Sequence, residues 1–253
     1  QPMRLEKLGL MLTLVLNTNL EQIRTFLLSK KLSNFYKRYR IRFMIIPYGR
    51  HDITEDDIEA VTKVLKSEFL TQGSELPKFE NGICDYTKAK YAIGVNSGTS
   101  ALHLACRAVG LGEGDILWTS AITYASSANC GLFCGATVDF VDIDPNDWNI
   151  NLEQLENKLR FAESKGMLPK ALVIVHFCGL PCHIQEIHSL CKQYRVYLIE
   201  DACHALGARY KNHPIGSCLY SDVTTFSFHP VKSITTGEGG MALTNDEDLA
   251  NNI

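Results

Sequence analysis

From residue 54 to residue 228 the chain alternates short β-rich runs with amphipathic helical stretches, and that alternation is what most narrows its possible folds. Tyr91–Val95, Ile116–Trp118, Val138–Val141, Ala171–Val175, Val196–Ile199 and Asp222–Phe228 read as strands. Between them Ala101–Val109, Ser126–Cys134, Leu152–Phe161 and His183–Tyr194 read as helices. Two further helices precede the first strand. Thr54 is the N-cap of one, with Glu55, Asp56 and Asp57 in its first turn, and Leu76 to Lys88 is the other. Strands and helices in alternation predict an α/β fold, with a mostly parallel sheet covered by helices on both faces. Right-handed crossovers then bring the strand C-termini to one edge, where ligands of such folds bind.

Candidate chemistry falls at those strand ends. After the first strand, Ser97-Gly98-Thr99-Ser100 opens a helix, and hydroxyls with free N–H groups there suit a phosphate. After the second, Tyr124 can stack on a flat ring. Glu200-Asp201-Ala202-Cys203-His204 follows the strand at Val196, where Asp201 can hold a protonated pyridine nitrogen with His204 close by. Last comes Ser227-Phe228-His229-Pro230-Val231-Lys232, then the cluster Gly237-Glu238-Gly239-Gly240. A lysine amine shielded from water beyond a strand end can attack a carbonyl, Ser227 can hold a phosphate oxygen, and the glycines allow close backbone approach.

Each residue alone has an ordinary explanation. Lys232 is then a solvated loop lysine, Thr99 and Ser100 belong to a helix cap, Tyr124 is packing, Asp201 caps a helix and His204 is a satisfied core histidine. Phosphate-binding hydroxyls, a stacking aromatic, an aspartate and a lysine at one sheet edge are together the requirements of pyridoxal 5′-phosphate.

Other classes find less support. Gly110-Leu111-Gly112-Glu113-Gly114 imitates a dinucleotide fingerprint but follows a helix, and no Walker A loop is present. His176, His183 and His188 lack metal-ligand spacing. Nine dispersed cysteines without a CxxC pair fit a reducing cytosol, hence a cytoplasmic location. No apolar run is long enough to span a bilayer. Charge is uneven: residues 1–43 hold nine Lys/Arg against two acids, giving +7, and the other 16 basic and 26 acidic residues give −10. An acidic body argues against nucleic acid as partner. Leu8–Leu16 loosely imitates a signal peptide but no small-residue cleavage site follows it. Residues 1–43 are therefore expected to be a basic extension outside the fold, with the domain running over 44–253 from Met44.

At Phe69-Leu70-Thr71-Gln72-Gly73, Asn96-Ser97-Gly98-Thr99-Ser100-Ala101-Leu102, Glu200–Gly207, Ser227–Lys232 and Gly237–Gly240 the chain resembles the DegT-type nucleotide-sugar aminotransferases of the aspartate-aminotransferase fold. The resemblance covers about Met44 to Ile253. It implies that Lys232 is the Schiff-base lysine, Asp201 pairs with the pyridine nitrogen and Thr99, Ser100 and Ser227 bind phosphate. Tyr124 would stack on the ring, with His204 beside the cofactor. Stretches such as Val175-His176-Phe177-Cys178-Gly179 look closest to the branch of pseudaminic acid biosynthesis. The implied reaction is ping-pong transfer of glutamate's amino group to a UDP-linked 4-keto-6-deoxy sugar. A GDP-perosamine type of sugar aminotransferase, or a catalytically incompetent fragment, is the alternative. The resemblance also implies a homodimer at full length, and a small C-terminal domain that is absent from this chain.

Overall fold

The computed structural model describes residues 49–253, so the expectation for residues 1–43 lies outside the described residues. The first helix, α1 (Glu55–Leu65), starts on a reciprocal cap: Asp57 N–H donates to Thr54 Oγ1 at 3.4 Å, and Thr54 N–H donates to Asp57 Oδ2 at 2.7 Å. The Thr54 N–H, joined by the Thr54 hydroxyl at 2.8 Å, donates to the Asp57 carboxylate and holds it below its ordinary range. Helix α2 (Glu75–Thr87) ends on Lys88 in the left-handed region, φ 71°.

The central elements then follow in order. They are β1 (Tyr91–Val95), α3 (Gly98–Ala108), β2 (Ile116–Ser120), α4 (Ser126–Phe133), β3 (Thr137–Val141), α5 (Leu152–Lys165), β4 (Ala171–Val175), α6 (Ile184–Tyr194) and β5 (Tyr197–Asp201). A small antiparallel ribbon, β6 (Arg209–Tyr210) and β7 (His213–Pro214), precedes β8 (Val223–Ser227), β9 (Gly240–Thr244) and α7 (Glu247–Asn252).

Seven strands form one sheet in the order β1-β9-β8-β5-β4-β2-β3. Pairing is parallel from β3 through β8, as expected. The sequence reading missed β9, which runs antiparallel between β1 and β8. Its Gly240 lies where an added Cβ would meet the Ser97 carbonyl at 2.3 Å, so only glycine lets this strand enter beside the start of α3. Because β9 opposes both neighbours, β1 and β8 point the same way. The C-termini of β1, β8, β5, β4 and β2 therefore share one edge.

Both sheet faces are buried. Along β4, Leu172 and Ile174 join a core with Leu155 and Leu159 of α5 and Ile187 of α6, whereas Ala171 and Val173 join one with Ala101 and Ala105 of α3. Period-two alternation into two apolar layers is what a helix-covered parallel sheet requires. Helix α1 differs, since it buries no residue and leaves Ile58, Val61 and Leu65 exposed.

Candidate active site

A cleft of about 750 Å³ opens at the shared strand edge. Thr99, Tyr124, Asp201, His204, Ser227 and Lys232 all line it, so six of the seven candidate side chains from four separate stretches meet there. Ser100 is the exception. Its hydroxyl donates to Asn96 Oδ1 at 2.6 Å and its N–H donates to Ser97 Oγ at 3.1 Å, so both groups serve the turn that starts α3. The Ser100 hydroxyl is thus engaged in its own helix cap, as hydroxyls of a first helical turn often are, and contacting a phosphate would require it to exchange that partner.

Lys232 sits in a loop closed at its base. Phe228 N–H donates to the Gly239 carbonyl at 2.9 Å, and Thr236 N–H donates to the Phe228 carbonyl at 3.1 Å. The Phe228 ring is buried and meets Phe79 of α2 edge-on, with centroids 4.9 Å apart. This anchors the loop on the core while Lys232 stays half-buried at the cleft.

Also at the cleft, α3 begins against Ser227. A Cβ added to Gly98 would lie 2.8 Å from Ser227 Cβ and 3.1 Å from Cys203 Sγ. The missing side chain lets the Ser227 hydroxyl stand beside the first turn of α3, where backbone N–H groups favour an anion. Thr99 Oγ1 lies 2.7 Å from Ser126 Oγ at the start of α4.

Asp201 ends β5 and is buried, with two donors on its carboxylate. Ser127 Oγ donates to Oδ2 at 2.6 Å and Cys203 N–H donates to Oδ1 at 3.2 Å. Burial, reinforced by the Asp201 charge, pushes the Cys203 thiol well above its ordinary range, so it remains a thiol. His204 is held below the usual histidine range by partial burial and the neighbouring Lys232 cation, against the opposite pull of Asp201. Tyr124 stands open at 78% exposure and lines the same cleft.

Sequence reasoning missed the support behind this wall. Glu200, one residue before Asp201, lies on the other side of β5 and is buried. It pairs with His176 Nε2 at 2.7 Å and accepts hydrogen bonds from Ser221 and from Thr224, the latter at 2.9 Å. Those hydrogen bonds outweigh the opposing effect of burial and hold the Glu200 carboxyl below its ordinary range. Cys182 N–H donates to His176 Nδ1 at 3.1 Å, which leaves Nε2–H to face Glu200. The available signal was a pair of adjacent acids in a strand buried on both faces, since each then needs its own partners. Ser127 gave no such signal, because its partner is 74 residues away.

Residues 51–253 match the model of the DegT/DnrJ/EryC1/StrS aminotransferase family. The chain belongs to this family. It is 43% identical over 210 residues to a UDP-4-amino-4,6-dideoxy-N-acetyl-β-L-altrosamine transaminase of Campylobacter jejuni, covering 83% of this chain and 54% of that protein. Among solved structures, Helicobacter pylori PseC, an aminotransferase involved in the biosynthesis of pseudoaminic acid, superposes with a TM-score of 0.76 at 33% identity. That match covers 83% of this chain and 54% of PseC. A Streptococcus pneumoniae protein in a PLP form matches with a TM-score of 0.73 at 29% identity, over 81% of this chain and 54% of its own. The chain thus spans about half the length of the curated relatives it matches, 54% in the case of the Campylobacter protein. The α/β fold described above is the one it shares with these neighbours over the matched part of their chains.

Proposed function

We propose that this protein is a pyridoxal 5′-phosphate-dependent aminotransferase. It moves the amino group of glutamate to a 4-keto-6-deoxy sugar on a uridine nucleotide, in the pathway to pseudaminic acid. One observation carries the reading: Lys232 and Asp201 line a single cleft together with the tight junction of Gly98 with Ser227. An amine, a carboxylate and hydroxyls beside a helix start are the donor set that this cofactor's aldehyde, ring nitrogen and phosphate require. The Campylobacter and Helicobacter relatives support the sugar class, and the Streptococcus structure supports the cofactor.

When bound, the cofactor supplies an aldehyde for amine exchange and a ring that accepts the electron pair released at the donor α-carbon. Lys232 Nζ would be the nucleophile that anchors the group, and its free amine would carry the proton from the donor α-carbon to the cofactor's former aldehyde carbon. Asp201 holds the ring nitrogen, Ser227 and Thr99 take the phosphate, Tyr124 covers the ring face and His204 stands beside it. The protein acts as a homodimer in the cytoplasm on nucleotide sugar and glutamate, with no membrane or nucleic-acid partner. The charge of −10 beyond residue 43 supports the reading that nucleic acid is not a partner.

The test is to add pyridoxal phosphate to the purified protein and record the visible spectrum beside Lys232→Ala. A visible band that borohydride bleaches and Lys232→Ala lacks is expected, with loss of transamination in the variant. Turnover retained by Lys232→Ala would remove the proposal.

A further inference from the structure

The strand-end residues account for which groups meet at the cleft but leave open what holds two of them in orientation. Thr99 and Asp201 arise on different elements, α3 and β5, and the one local bond to either side chain described above is that of the Cys203 N–H to Asp201 Oδ1. Both are touched by the first two residues of α4, Ser126 and Ser127, which are buried.

The donor assignments follow from the hydrogen-bond inventory. Ser127 has one hydroxyl proton, and it donates that proton to Asp201 Oδ2 at 2.6 Å. Thr123 Oγ1 lies 2.7 Å from Ser127 Oγ and must therefore donate to it. The result is a directed relay, Thr123 to Ser127 to Asp201. Ser127 is further fixed by its own N–H, which donates to the Tyr124 carbonyl at 3.0 Å. Its neighbour Ser126 faces the cleft and stands 2.7 Å from Thr99 Oγ1. Neither serine caps its own helix, since Ala125 occupies the N-cap without a side-chain bond.

We infer that Ser126 and Ser127 are positioning residues that divide the cofactor between them: Ser127 orients Asp201 for the ring nitrogen, and Ser126 orients the Thr99 hydroxyl for the phosphate. The inference rests on the cofactor reading above. One rigid helix start thus sets the spacing between the two ends of the bound molecule, and neither serine takes part in the proton transfers of Lys232. Helix α4 is positioned for this by its own packing, with Cys130 fully buried and Gly131 so close to Leu117 that an added Cβ would lie 3.1 Å from its Cβ.

Comparing ligands within one variant tests this without requiring unchanged stability. Dissociation constants are measured by absorbance for pyridoxal phosphate, for pyridoxal without phosphate, and for the carbocyclic analogue lacking the ring nitrogen. Ser127→Ala is expected to shrink the preference for pyridoxal phosphate over the carbocyclic analogue about tenfold, as for a lost hydrogen bond to a charged group. Its preference for phosphate over no phosphate should stay within about twofold. Ser126→Ala should show the reverse pattern, with the phosphate preference reduced about threefold and the ring-nitrogen preference unchanged. A merely structural role would move both preferences together or neither, and either result overturns the inference. Wild-type protein with no Lys232-dependent band would remove the cofactor reading and this inference with it. A normal wild-type band with unsplit preferences would remove the inference alone.

Discussion

Glu200 and Asp201 are consecutive buried carboxylates at the end of β5, and their surroundings differ in kind. Behind the strand, Glu200 meets His176, Ser221 and Thr224, and Thr224 in turn is approached by Cys218 Sγ at 3.4 Å. In front, Asp201 has Ser127 and the Cys203 N–H, and it opens onto the cleft. The rear carboxylate is enclosed by protein partners, as a buried charge must be to be tolerated. The forward one keeps a side for a ligand. Under the proposed function, these adjacent carboxylates would serve stability and chemistry separately, because successive side chains of a strand point to opposite faces.

That contrast can be broken by mutation. Glu200→Ala should cost about 3–5 kcal/mol of stability, the usual effect of removing one partner from a buried pair. Urea unfolding measures it, and a loss below about 1 kcal/mol would mean the rear network is not structural. Gly98→Ala should cost about 1–3 kcal/mol, because its Cβ would press on Ser227 and Cys203, and should weaken phosphate binding at the same time. Asp201→Asn should leave stability within about 1 kcal/mol yet lower cofactor affinity about tenfold or more. Equal stability losses in Asp201→Asn and Glu200→Ala would erase the distinction between the two faces.

The pH dependence sharpens the same comparison and is the smallest effect expected. His204 has a folded pKa below its ordinary 6.5, so the unfolded chain takes up that proton first. Its stability contribution is present above 6.5 and is lost as pH falls through the depressed folded value. Glu200 is also depressed, from 4.5, so its contribution persists above 4.5 and disappears only in stronger acid. Unfolding free energy should therefore decline in two windows on acidification. His204→Asn should flatten the upper one alone, and a profile unchanged by that substitution would refute the assignment.

Much of the site was legible because a rule of topology acts on visible patterns. Tyr91–Val95 and Ala171–Val175 were bounded as they are observed, and strand ends identify where Thr99, Asp201 and Lys232 must emerge. Helix boundaries were less legible: α3 begins at Gly98, three residues before the run at Ala101, because Ser97 caps it. Strand β9 was hidden by its short Met241-Ala242-Leu243 core after two glycines, which reads locally as the end of a loop. The Asn96 partner of the Ser100 hydroxyl was not legible, because local capping and ligand binding draw on the same hydroxyl.

By itself the sequence determined the alternation of strands and helices, the two-sided burial of the sheet, and the edge at which a lysine, an aspartate and hydroxyls would gather. Periodicity and chain connectivity are local properties, and they suffice for that. Only the tertiary structure decided that β9 lies between β1 and β8, that Glu200 belongs to His176, and that Ser127 reaches Asp201. Those contacts join residues far apart in the chain, and their hydrogen bonds exist only once packing has brought the donors within about 3 Å of their acceptors.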